Sequence, residues 1–178
     1  MGLLNRQKLP DALKALIPKG ERLMAWGSGP PKLDGQPTLV AATDRALYAP
    51  GYVERVPWEQ VVRAAWEEPI LEVVYLPPDE STAAETVVFS SPALVRITLD
   101  EAGSVPQVVW ERVNSTIIMS RHVTLVGDKG VRLVARRVRG SDDIRWHVIF
   151  DRGLDAADPE LRAMADEELR HIRESAGI

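Results

Sequence analysis

No cysteine occurs in the 178 residues. That removes disulfides, a thiolate nucleophile and any cysteine metal site, and it suits a reducing cytoplasm, the expected location. Long apolar runs are missing as well. No stretch reaches the roughly 18 to 20 residues that a membrane-spanning helix requires, and the first residues carry no secretory apolar region. Histidine is scarce: His122, His147 and His171 stand far apart without an HExxH spacing, so no metal centre is expected. No Gly-Lys-Ser/Thr follows Gly27 or Gly29, which excludes a P-loop, and the dinucleotide fingerprint is absent. Ser28, Ser90 and Ser91 lack the Gly-x-Ser-x-Gly context of an activated nucleophile. Adjacent carboxylates such as Glu67-Glu68, Asp100-Glu101 and Asp142-Asp143 point to opposite faces of a strand or into turns, so they read as solvated charges rather than acid–base pairs. No catalytic residue and no cofactor is assigned.

What the chain does contain is an ordinary globular composition, 45% hydrophobic and 27% charged. Its length suffices for one sizeable core, and a single domain over residues 1–178 is expected. Leu9 to Ile17 predict a short helix in an N-terminal arm (1–19), with Pro18 and Gly20 stopping it. A β-rich body over 20–150 follows. Strands are expected at 21–26, 38–42, 46–49, 52–56, 61–66, 70–76, 85–89 and 94–99. Gly27 to Pro37 reads as an interrupting loop, and Thr43-Asp44-Arg45 as a turn in which the Asp44 side chain bonds nearby backbone. Glu67-Glu68-Pro69 and Ser90-Ser91-Pro92 read as hairpin links. Val105, Val109, Val113 and Ile117 recur at helical spacing, which predicts an inserted helix over 106–114. Strands at 117–126, 131–138 and 145–150 follow. Asp158-Pro159 starts a C-terminal amphipathic helix (158–176) whose apolar face holds Leu161, Met164, Ala165, Leu169, Ile172 and Ala176. It is expected to cover the hairpins of residues 20–100. The fold class is α+β, built on antiparallel strands.

Charge is uneven. Residues 67–101 hold eight acidic and one basic residue, and residues 121–145 hold seven basic and three acidic, within a net charge of -4. Arg121, Arg132, Arg136, Arg137 and Arg139 form the candidate anion- or partner-binding group. Arg132 and Arg136 share a strand parity, with Arg121 on the partner strand. Such a stripe either balances the acidic region internally or meets an acidic partner such as a phosphate or an acidic lipid surface. Nucleic acid is the least favoured partner, given the net charge. The five tryptophans, one per element, are expected to close the core.

At GERLMAW, TLVAATDRALY and VPWEQV the sequence resembles bacterial pleckstrin-homology-like and GRAM-like domains. The matching positions are Gly20-Glu21, Thr43 through Tyr48, and Pro57 through Val61. The chain is also similar to an actinobacterial family at Arg112 to Ile117, Arg132 to Arg137 and Asp151 to Pro159, a resemblance that brings no activity with it. The first resemblance implies a strongly bent antiparallel sheet capped by a C-terminal helix. The chain departs from it in the inserted helix, and in a first hairpin loop whose only basic residue is Lys32.

These readings point to a non-enzymatic protein-interaction or scaffolding module, with self-association through strand edges open. Two alternatives stand beside it: peripheral acidic-lipid or phosphate binding, and an enzyme whose site gathers scattered residues, for instance His147 with an aspartate.

Overall fold

A computed structural model describes residues 9–77, 87–137 and 143–177, with backbone alone for 87–90. The readings placed on Arg139, Asp142, Asp79-Glu80 and residues 81–84 lie outside these residues. The chain forms two compact units. The first holds residues up to Trp58, Ala64–Val73 and Val95–Arg112; the second holds Glu59–Arg63, Val74–Leu94 and Val113 onward.

Among the described residues there are three α-helices, one turn of 3-10 helix (Trp58–Gln60) and eleven strands. After α1 (Asp11–Leu16), the strands β1 (Leu23–Pro31), β2 (Pro37–Thr43), β3 (Ala46–Ala49) and β4 (Val53–Pro57) make an antiparallel meander in the order β1-β2-β3-β4. Next come β5 (Val61–Glu67), β6 (Ile70–Tyr75), β7 (Val87–Ser90) and β8 (Ala93–Thr98), then α2 (Val105–Thr116). β5, β6 and β8 form a three-stranded sheet. The chain ends with β9 (Ile117–Val126), β10 (Lys129–Arg137), β11 (Ile144–Phe150) and α3 (Pro159–Ala176). The third sheet has the order β7-β11-β10-β9, antiparallel except for the parallel pair β7 and β11. The class is α+β.

In the first unit α1 buries Leu13 with Leu39, Ala41, Ala46 and Tyr48. β1 runs further than the sequence suggests, because Gly27 to Pro31 continue the ladder with β2 instead of forming a loop. The glycines there serve close approach. Ser28 bridges to Glu101, and a Cβ on Gly29 would lie 1.9 Å from the Thr98 carbonyl oxygen. Strand continuity and glycine are compatible where a third backbone crosses. In α2 the valines at 105 and 109 are buried, so the helical periodicity outweighs their β-branching.

In the second unit the alternation of β10 and β11 sends Val131, Leu133, Ala135, Trp146, Val148 and Phe150 to one face, where Ala165, Leu169 and Ile172 of α3 cover them. This corrects the expectation that the last helix covers the hairpins of residues 20–100; its apolar stripe matches the apolar face of β10 and β11. Met164 is exposed and leaves that stripe. A second correction concerns Ser90-Ser91-Pro92, which is no hairpin. β7 pairs with β11, and β8 with β6. Pro92 has no N–H to give to a ladder, and the strands on either side of it belong to different sheets.

Candidate functional site

Four of the positions that carry the pleckstrin-homology-like resemblance, Glu21, Thr43, Tyr48 and Trp58, meet in the first unit. Thr43 donates from its hydroxyl to Glu21 Oε2 at 2.6 Å, and its oxygen accepts the N–H groups of Arg45 and Ala46. Tyr48 donates to the same Glu21 oxygen at 3.0 Å. Arg55 donates to the Tyr48 hydroxyl through Nε and to Glu21 Oε1 through Nη2, both at 3.1 Å. The Trp58 indole N–H closes the group on the Thr43 carbonyl at 3.0 Å. Burial alone would raise the Glu21 carboxyl, but hydrogen bonds from Thr43, Tyr48 and Arg55 and the Arg55 charge hold it below its ordinary value. These bonds tie the segment just before β1 to β2, β3 and β4. Thr43 rather than Asp44 caps the turn, and Asp44 accepts from the Arg22 N–H across the strands. The network fastens these segments to one another through hydrogen bonds.

The candidate arginines are dispersed. Arg136 is 2% exposed and donates to the Val61 carbonyl and to the Thr116 hydroxyl, the latter at 2.8 Å. Burial lowers it to about 10, against a partial opposing pull from Glu59, so it remains a cation at neutral pH. Arg132 shares its parity but is exposed. Its cross-strand neighbour is His122, whereas Arg121 stands across from Leu133 and so belongs to the opposite face. Arg137 is exposed on that opposite parity too. The sheet thus uses Arg136 internally and separates Arg121 and Arg137 from Arg132.

Near Arg132 the fold assembles a pair that sequence spacing does not reveal. His122 Nε2 lies 2.8 Å from Asp151 Oδ2, which also accepts the Gly130 N–H at 2.7 Å. Burial would raise Asp151, but the hydrogen bonds from His122 and Gly130 and the His122 and Arg132 charges hold it low. Asp151 lies on the wall of a cleft of about 590 Å³ that Val74, Pro92, Leu94, Arg152 and Leu154 also line. His147, the histidine singled out for a scattered site, is 5% exposed, and neither ring nitrogen has a hydrogen-bond partner among the described residues. Burial lowers it to about 4, reinforced by Arg136 and Arg145, so the ring is neutral. No group of three metal-ligating side chains occurs among the described residues, and no described helix is long and apolar enough to cross a membrane.

The first unit also carries an aromatic groove of about 300 Å³ lined by Ala64, Ala65, Trp66, Leu71, Pro106 and Trp110. Trp110 is 63% exposed, against the expectation that all the tryptophans close the core; Trp58 and Trp146 do so. At its helix position Trp110 follows the buried Val109, and the 3.6-residue period turns it outward. Glu67, at the end of β5, and Glu68, in the turn to β6, are exposed beyond Trp66, and the exposed Glu111 follows Trp110. Comparison with protein-family profiles, with curated proteins and with solved structures finds no match to the chain.

Proposed function

We propose that this is a non-enzymatic protein-interaction module and that its binding surface is the groove lined by Trp66 and Trp110. The exposure of Trp110 beside Pro106 carries the reading. An indole so placed supplies a large, stiff contact area, and aromatic-lined grooves are the usual seat of short apolar or proline-containing segments. The carboxylates at 67, 68 and 111 favour a segment flanked by arginine or lysine. The pleckstrin-homology-like relation belongs to the same proposal: its support is the antiparallel meander of the first unit, with Glu21, Thr43 and Tyr48 joined at the motif positions.

The test is selection from a displayed peptide library, followed by titration of the best basic, apolar peptide while tryptophan emission is recorded. Trp110→Ala is expected to weaken binding by tenfold or more while the circular dichroism spectrum keeps its folded form. A library that yields no convergent sequence, or a variant that binds like wild type, overturns the proposal. The acidic-lipid alternative draws on Arg132, the exposed member of its pair; vesicle sedimentation with Arg132→Glu tests it, and indifference to the substitution removes it.

A further inference from the structure

β9 is the outermost strand of its sheet, with β10 on one side and no strand on the other among the described residues. It is ten residues long. Such an edge presents a row of N–H and C=O groups to any strand that can reach it, and proteins commonly blunt it with proline, lysine or brevity. β9 contains neither proline nor lysine, and its irregularities toward β10 sit at its two ends, leaving Met119 to Thr124 in unbroken register. One face of the strand holds Ile118, Ser120, His122, Thr124 and Val126, all exposed, with the His122 ring bonded to Asp151 of its own chain. Ile118 is 42% and Val126 53% exposed, an apolar residue at each end of an otherwise polar row.

We propose that β9 pairs antiparallel with β9 of a second copy, about a two-fold axis through His122. A two-fold normal to the sheet keeps each face on its own side, so the register must place a residue opposite one of the same parity. Four centres near the middle of the strand satisfy this. A centre at Arg121 opposes two guanidinium groups, which is unfavourable. A centre at Ser120 sets Ile118 against His122 and Met119 against Arg121. A centre at Val123 sets Leu125 against Arg121. The centre at His122 opposes Ile118 to Val126 and Met119 to Leu125, so apolar residues meet on both faces, and Ser120 meets Thr124. Arg121 then lies across from Val123. The contact rests on the second unit alone and is independent of the tryptophan groove.

Because the chain has no cysteine, single cysteines report the register without background. Residues directly opposite across an antiparallel pair have Cβ atoms about 4.5 to 5.5 Å apart, close to what a disulfide spans. Under mild oxidation His122→Cys is expected to give a covalent dimer at least tenfold faster than Ser120→Cys or Thr124→Cys. Equal rates, or none at His122→Cys, overturn the proposal. Light scattering of the full chain gives the second reading. Wild type is expected to dimerise at micromolar concentration, and Ile118→Lys to raise the dissociation constant at least tenfold with an unchanged circular dichroism spectrum. Adding Val126→Glu to Ile118→Lys is expected to restore dimers, since each lysine then faces a glutamate of the partner subunit. A monomeric wild type, or a dimer indifferent to Ile118→Lys, refutes the pairing.

Discussion

The two units treat buried polarity differently. In the first, Glu21, Thr43, Tyr48 and Arg55 share hydrogen bonds, and the Trp58 indole closes on the Thr43 carbonyl. In the second, Arg136 is held by a carbonyl and a hydroxyl, while His147 has both ring nitrogens unpartnered among the described residues. A mutually satisfied group returns most of the cost of leaving water, whereas an isolated buried imidazole keeps that cost and shifts its proton affinity. Acid should therefore act on the second unit first.

The comparison breaks most sharply at Arg136. Truncation by Arg136→Ala leaves the Val61 carbonyl and the Thr116 hydroxyl without this donor, and a cavity where the side chain stood. The expected loss is about 3 kcal/mol. Arg136→Met fills the space and buries no charge, so about 1 kcal/mol or less is expected. Urea denaturation midpoints of the two variants measure the difference; equal losses would mean that the lost donor decides there and the filled volume does not. The matching variant in the first unit is Thr43→Val, which keeps the shape but strips the acceptor of the Arg45 and Ala46 N–H groups and the donor to Glu21. About 2 kcal/mol is expected, again from denaturation. A neutral result would reduce the network to decoration.

Proton uptake sharpens the contrast. His147 takes its proton near 6.5 in the unfolded chain but only near 4 when folded. Between those values the unfolded state binds more protons, so this contribution is complete above pH 6.5 and is lost as pH falls toward 4. At pH 5.5, one unit below the unfolded value, about 1.4 kcal/mol should be gone relative to pH 7.5. His147→Leu should remove that loss, as shown by denaturation of both proteins at the two pH values. Parallel pH profiles would contradict the buried neutral imidazole. Glu21, held below its ordinary 4.5, contributes stability that is complete above that value and is lost only under more acid conditions.

Local pattern made much of this legible. The period-2 runs gave most of the strands, the valine spacing gave α2, and Asp158-Pro159 gave the start of α3. Legibility failed where distant backbone decides. Gly27 and Gly29 look like breakers until the chain at Thr98 and Glu101 is known to cross them. β7 prefers the parallel edge of β11, some sixty residues on, over the neighbouring β8. At the candidate sites, parity correctly joined Arg132 to Arg136. It could not tell that one is exposed and the other buried, nor that Arg121 faces Leu133. The His122–Asp151 pair depends on the register of three strands. The turn of Trp110 away from the core was readable in principle, since its position in α2 is fixed by the buried valines.

The smallest expected effect contrasts the helices that belong to the two units. α1 begins at Pro10 with no side-chain cap, and it is held by burying Leu13. α3 begins at Asp158, whose Oδ1 accepts the Glu160 N–H at 2.8 Å and the Leu161 N–H at 3.3 Å, and it closes on Gly177 in the left-handed conformation. Asp158→Ala should cost about 1 kcal/mol, and Asp158→Ser much less, because serine also accepts from the first turn. If thermal melts show no difference between the two variants, the helix owes its start to the packing of Ala165, Leu169 and Ile172 alone. It would then resemble α1 in being held by burial and not by its cap.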